Sequence, residues 1–343
     1  MNSRESKEIT LMGLLHSVMV LVVLGIDALD PDLVDSGGHP NLTLTDHRSI
    51  ETINSVKGEP STHELWPTII SGHPPEDHGL TLEDDGVAWG NPVLEAGSRI
   101  ADYLLPENVQ TRLGAWLLTN TTADAFRTPA SYYDKHDIET VFDEWSSTAI
   151  GIPNYVVDPN ETDREHELRQ NMGDLFKRNP DAKGGHQSAD PVAFYEKCME
   201  MVMVRFALAR RALRGGTSEL VFAYTSGLDL IGHVTYDDSA LQQRAYDEIN
   251  DFVGDIRSDL GEGDELLLVS DHGLQDGIHT HEAMVASTRS VLVEQISSII
   301  DIKSAIEAEL SRVDHKPDPW KTTGMGSDQG EDVRRQLQDL GYM

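Results

Sequence analysis

The stretch Glu265-Leu-Leu-Leu-Val-Ser-Asp-His-Gly273 carries both a fold signal and a chemical one. Its first part, Glu265 to Val269, is a short apolar run without polar alternation, the pattern of a strand covered on both faces as in a parallel sheet. Its second part sets a carboxylate, Asp271, and an imidazole, His272, directly after that strand, with Gly273 free to turn the backbone tightly. Ligands of open α/β sheets collect outside the carboxyl ends of the strands, so Asp271 and His272 stand where chemistry is expected.

Working outward, three further runs have the same character: Val18 to Ile26, Ala149 to Val157 and Leu220 to Tyr224. Helical patterns separate them. From Asp237 to Leu260 the apolar positions Leu241, Ala245, Ile249, Phe252, Val253, Ile256 and Leu260 recur at three and four residues and form one buried stripe. Ala193 to Leu213 reads as a second long helix. Strands alternating with helices predict an α/β sandwich with a mainly parallel sheet.

Two other strands are also followed by acids, Asp27 after Ile26 and Asp229 after Tyr224. Asp229-Leu-Ile-Gly-His233 adds an imidazole four residues on, and His279 and His281 follow Asp271 within ten residues. A single Asp after a strand is usually a helix cap, and a single His is usually a satisfied polar residue. Their coincidence after three strands is what points to a site. Oxygen and imidazole donors in this mixture suit zinc or manganese, and there are enough of them for two sites.

Composition narrows the alternatives. In 343 residues there are 59 acidic and 27 basic side chains, a net charge of −32. That sign excludes a nucleic-acid duplex as partner. The scarcity of Lys beside abundant Asp and Glu predicts the solvated surface of a halophilic protein. One cysteine, Cys198, excludes a disulfide framework and a thiolate zinc cluster. The apolar run Leu11 to Ile26 is interrupted at His16 and Ser17, closed by Asp27 and short for a span, so the expectation is a cytoplasmic protein with no membrane partner. No phosphate-binding loop ending in Lys-Ser/Thr, complete dinucleotide turn or Gly-x-Ser-x-Gly elbow occurs. The chain reads as one domain, 1–343, with core segments 17–84 and 217–310, an inserted cap over about 85–216 and a tail at 311–343. Oligomeric state is left open.

Taken with Gly25-Ile-Asp-Ala-Leu-Asp-Pro-Asp-Leu33 and Pro60-Ser-Thr-His-Glu-Leu-Trp-Pro-Thr-Ile-Ile-Ser-Gly-His-Pro-Pro-Glu-Asp-His-Gly79, these blocks resemble the alkaline phosphatase superfamily, most of all its type I phosphodiesterase and nucleotide pyrophosphatase branch. The resemblance spans both ends of the chain. It implies a three-layer α/β/α sandwich, alkaline-phosphatase-like, and a metal-dependent hydrolase of phosphate esters. It assigns the nucleophile to Thr62. One divalent ion would take Asp229, His233 and His279, with His281 as the fallback for the last, and a second would take Asp27, Thr62, Asp271 and His272. Zinc is the expected metal and manganese its alternative; the partner is a small phosphorylated substrate. A metal holds the threonine hydroxyl as a nucleophile, and two ions about 4 Å apart stabilise attacking and leaving oxygens.

Departures from the pattern bear on specificity. The branch usually carries an Asn shortly after the His-Gly turn, whereas Leu80-Thr-Leu-Glu-Asp-Asp85 has none; Thr81 and Asn91 are the available substitutes. Sulfatases need a modified Cys or Ser at the nucleophile, and Cys198 sits elsewhere. A cofactor-independent phosphoglycerate-mutase-like phosphotransferase, a sulfatase-like hydrolase and a non-catalytic metal-containing binding protein are the alternative readings. Arg48, Lys57 and Lys135 are expected in surface salt pairs, His78 in organising its own turn, and Trp66 and Trp89 in packing.

Overall fold

The structure is a computed structural model that describes residues 19–55, 58–81, 127–158 and 163–312. Ten strands run in chain order β1 (Leu21–Ile26), β2 (Asp46–Glu51), β3 (Ser147–Ile150), β4 (Lys177–Arg178), β5 (His186–Gln187), β6 (Leu220–Thr225), β7 (Glu265–Val269), β8 (Gly273–Gln275), β9 (Ile278–Thr280) and β10 (Glu282–Ser287). Six form one sheet in the order β2-β10-β7-β1-β6-β3, while β4-β5 and β8-β9 are separate two-stranded ribbons. Within the large sheet β7, β1, β6 and β3 pair in parallel and β10 is antiparallel to both its neighbours. Gly25 pairs with both Tyr224 and Val269, so the three central strands end level with one another.

The uninterrupted apolar runs follow from burial on both faces. Val22, Leu24 and Ile26 of β1 join one core with Phe194, Val202 and Phe206 of the Pro191–Gly215 helix and Ile249 and Val253 of the Ser239–Ser258 helix. Leu21 and Val23 face a second core with Leu65, Trp66 and Ile69 of the Thr62–Ser71 helix and Ile302 and Ile306 of the Ile302–Ser311 helix. Each such side chain contributes about 1.5–3 kcal/mol by leaving water. This is the three-layer α/β/α sandwich expected, with its sheet mainly parallel. Asp238 and Asp190 cap the two long helices, accepting from the backbone N–H groups of Ala240 and Leu241 and of Ala193.

One strand boundary differs from expectation. The strand expected over Ala149 to Val157 is only Ser147–Ile150, because the chain leaves the sheet at Gly151, whose φ is 69°, and Pro153 has no N–H for a ladder. The long helix expected over Ala193 to Leu213 is Pro191–Gly215, and its apolar face packs on the sheet. Residues 1–18 and the tail beyond 312 lie outside the described residues; among those described, no helix is long and apolar enough to cross a membrane.

Candidate active site

Level strand ends bring three acid-bearing loops together. Asp27 follows β1, Asp271 stands two residues past β7, and Asp229 lies in the first turn of the Gly227–Thr235 helix that follows β6. Positions four apart share a helix face, which sets His233 Nε2 3.3 Å from Asp229 Oδ1. The β8-β9 ribbon then turns back through Asp276 and Gly277, with φ of 55° and 78°, the left-handed pair that a two-residue hairpin turn demands. That reversal delivers His279 Nε2 to 3.3 Å from Asp229 Oδ1 and 2.9 Å from His233 Nε2.

The remaining donors cluster beside this group. His272 Nε2 lies 3.4 Å from Asp27 Oδ1 and 3.4 Å from Asp271 Oδ2. Thr62, the first residue of its helix, places Oγ1 3.3 Å from each oxygen of Asp27 and 3.4 Å from His272 Nε2. Two sets have ligand atoms within 4.8 Å of one another: Asp229, His233 and His279; and Asp27, Asp229 and His272. Asp229 belongs to both, whereas the sequence reading gave it to one ion. His281 is exposed, lies between β9 and β10, and belongs to neither set.

Ring orientation favours ligation. His279 Nδ1 is 2.9 Å from the Pro60 carbonyl and His272 Nδ1 3.1 Å from the Gly273 carbonyl, so in each ring the Nδ1–H donates outward and the Nε2 lone pair faces the cluster. Burial, reinforced by Asp271 and Asp229, holds the Asp27 carboxyl well above the usual carboxylate range. Burial together with Asp229 pushes Asp271 up to about 6. At Asp229 the upward push of burial is outweighed by His233 and His279, which hold its carboxyl well below the ordinary range. Burial, with His279 beside it, pushes His272 down to about 4, whereas Asp229 reverses the effect of burial at His233 and raises His279 to about 9.

Both oxygens of Asp271 are buried without a hydrogen-bond partner among the described residues. Carboxylates crowded in a dry site, some resisting ionisation and one orphaned, with imidazole lone pairs turned inward, fit divalent cations that accept oxygen and nitrogen donors.

Other expected residues have plainer roles. His78 is buried, 3.2 Å from both Thr68 Oγ1 and the Glu64 carbonyl, and accepts from the Leu80 N–H at 3.1 Å, which ties its turn to the Thr62–Ser71 helix. Trp66 packs edge-on against Tyr224 and Phe222. Arg48, Lys135 and His73 are exposed, and His39 bonds within its own loop and to Asp247. Lys57, Trp89 and Asn91 lie outside the described residues, and Thr81 is half-buried.

Sequence reasoning missed three features. Tyr224 donates from its hydroxyl to Asp27 Oδ2 at 2.6 Å. Asn154 Nδ2 donates to the His63 carbonyl at 2.8 Å, steadying the start of the Thr62 helix, and its Gly151-Ile-Pro-Asn turn was the available signal. A cleft of about 670 Å³ is lined by two neighbours of the cluster, His63 and Tyr224, and by several arginines.

A family model described as type I phosphodiesterase / nucleotide pyrophosphatase matches residues 21–318. No curated protein matches the chain. Among solved structures, the PH0037 protein from Pyrococcus horikoshii is 10% identical, the alignment covering 88% of this chain and 100% of that one with a TM-score of 0.37. Murine ectonucleotide pyrophosphatase / phosphodiesterase 5 is 15% identical over 74% of this chain and 57% of its own, with a TM-score of 0.36. The alkaline phosphatase from the Antarctic bacterium TAB5 is 12% identical over 86% and 98%, also at 0.36. With the matched interval spanning most of its length, the chain belongs to the type I phosphodiesterase/nucleotide pyrophosphatase family of phosphoric ester hydrolases.

Proposed function

We propose that the chain hydrolyses small phosphodiester or pyrophosphate substrates, ahead of monoesters, with Thr62 as nucleophile and two divalent cations, zinc or alternatively manganese. The observation that carries the reading is the position of Thr62 Oγ1, 3.3 Å from both oxygens of Asp27 and 3.4 Å from His272 Nε2 at the first residue of a helix. One cation would be held by Asp229, His233 and His279, the other by Asp27, Asp271, His272 and Thr62, with Asp229 close to both. Bound there, the cations supply positive charge to the nucleophile, the phosphate oxygens and the leaving oxygen.

The chain's own groups perform the rest. Thr62 loses its hydroxyl proton, its Oγ1 bonds to phosphorus and the bond to the ester oxygen breaks, giving a phosphothreonine and an alcohol once the leaving oxygen takes a proton. The backbone N–H groups that open the Thr62–Ser71 helix face the phosphate with the positive end of the helix dipole. Water then attacks phosphorus, Oγ1 departs and threonine is restored. Tyr224 fixes Asp27, and the Pro60 carbonyl fixes the His279 ring, so neither ligand needs to reorganise during turnover.

The net charge of −32 supports a high-salt setting, where a Debye length of about 3 Å at molar salt screens self-repulsion. The test is Thr62→Ala in molar salt with added zinc or manganese and bis(4-nitrophenyl) phosphate as substrate. Turnover is expected to vanish while bound metal persists, and Thr62→Ser is expected to retain part of the activity. Undiminished turnover in Thr62→Ala removes the nucleophile from the scheme.

A further inference from the structure

The cleft beside the cluster concentrates cations in a chain that is otherwise strongly acidic. Arg127, Arg164, Arg169, Arg205 and Arg211 all line it, although the chain has only 27 basic residues against 59 acidic ones. Asp158 and Asp163 in its lining, and the buried Glu165 behind it, offset three of the five charges. Two of the arginines are committed to that framework. Arg205 binds Asp163 at 2.8 Å and also Glu165, while Arg169 reaches Glu165 at 3.1 Å and Ser226 Oγ at 2.8 Å. Arg164 approaches Glu200 only at 3.9 Å and is 63% exposed. Arg127 lies near enough to Asp163 to help lower its carboxyl, but neither it nor Arg211 has a carboxylate within ion-pair distance among the described residues.

The cleft touches two neighbours of the reacting groups. Tyr224, which holds Asp27, and His63, which follows Thr62, both line it. At about 670 Å³ it can take a substituent of ordinary metabolite size. Its apolar wall includes Ile150, Pro153, Val204 and Leu208. Arg211 stands six residues beyond Arg205 on the Pro191–Gly215 helix, about 9 Å farther along its axis. The cleft therefore combines two arginines held by the buried Glu165, an apolar wall and two guanidinium groups without an ion-pair partner among the described residues.

We infer that the substrate carries a second anionic group, a carboxylate or phosphate, on the alcohol that enters this cleft, and that Arg127 and Arg211 bind it. The inference rests on the hydrolase reading and adds the substrate's charge pattern to it. Guanidinium forks suit planar or tetrahedral oxyanions and outdo an ammonium in that geometry. The global field of the chain repels a dianion, so discrimination in its favour has to come from this local patch.

The experiment compares 4-nitrophenyl phosphodiesters whose second alcohol is an alkyl chain of graded length ending either in a carboxylate or in a methyl group. Leaving group and chemistry are the same within each pair, so the ratio of kcat/KM reads the second anion alone. The metal-loaded protein is expected to prefer the carboxylate by about tenfold or more at the best length, the scale of a charge-assisted hydrogen bond. In Arg127→Ala/Arg211→Ala that ratio is expected to fall close to one, whereas Arg244→Ala, outside the cleft, keeps it. A ratio near one at every length in the parent protein, or an unchanged ratio in the double variant, overturns the inference while leaving the hydrolase intact. If the metal-loaded parent turns over none of the esters, the hydrolase reading itself fails and this inference with it.

Discussion

Tyr224 and Asp27 are 197 residues apart in sequence, and the phenolic hydroxyl of the first donates to Oδ2 of the second at 2.6 Å. Burial, with Asp27 adding to it, keeps that phenol far above its ordinary titration range, so it stays a neutral donor. The bond takes one carboxylate lone pair and leaves the others for Thr62 and a cation. Tyr224→Phe keeps the ring against Trp66, 4.8 Å away between centroids, and removes only the hydroxyl. Metal affinity and kcat are expected to fall about 10–100-fold with little change in thermal stability. Metal titration alongside initial rates checks this, and unchanged affinity removes the positioning role.

Removing the metals is expected to destabilise the fold. Asp27, Asp229 and Asp271 are all buried or nearly so around one point, and the cations that suit them bind the folded state alone. At a free metal concentration a hundred times Kd this linkage contributes about 2.7 kcal/mol. A chelator should lower Tm, and zinc or manganese should restore it. Binding also displaces protons: His279, raised to about 9, must become neutral and Asp271, at about 6, must ionise. Apparent affinity is therefore expected to rise with pH up to about 9 and to weaken below it, measured by competition with a metal-sensitive dye. A Tm indifferent to chelation contradicts the site.

Local pattern made much of this legible. Asp27 and Asp271 stand out because each follows a two-sided apolar run, and Asp229 and His233 because a four-residue spacing shares a helix face. The choice between His279 and His281 was not local, since it depends on where β9 ends and β10 begins after the Asp276-Gly277 turn. Tyr224 could not be singled out, because its partner is distant in sequence and a Tyr within an apolar run reads as packing. The cleft was equally hidden: Arg127, the pair Arg164 and Arg169 on one helix and the pair Arg205 and Arg211 on another come from three segments distant in sequence, and each arginine alone reads as an ordinary surface pair. Gly151 and Pro153 marked the early end of β3, but the apolar residues around them masked that signal.

Close approach explains one glycine. A Cβ on Gly25 would fall 2.4 Å from the Trp66 ring and 3.3 Å from Phe222, both backed by the sheet core. Gly25→Ala is expected to cost about 1–3 kcal/mol as overpacking, and because β1 leads directly into Asp27 it should also reduce kcat. Denaturant unfolding measures the first and initial rates the second. Trp66→Leu in the same background is expected to recover part of the stability, whereas a fully stable Gly25→Ala denies the contact.

His78 couples stability to pH chiefly through burial. Desolvation pushes its imidazole down to about 4, even though the Glu64 carbonyl acts the other way. The unfolded chain binds this proton near pH 6.5, the folded chain only near 4, so between those values the unfolded state holds more protons. The contribution of His78 is thus complete above about pH 6.5 and is lost progressively as pH falls towards 4, to a total of about 3 kcal/mol. His63, pushed down to about 3 by burial, adds in the same direction. His78→Gln is expected to be less stable at pH 7, where it forfeits the bonds to Thr68 and Leu80, yet to lose less on acidification. Urea unfolding of both proteins at intervals from pH 7 to about 4.5 gives the difference in slope, expected to approach one proton. Parallel curves would mean that His78 charges freely within the folded protein, and that its buried hydrogen bonds to the Thr62–Ser71 helix open on acidification.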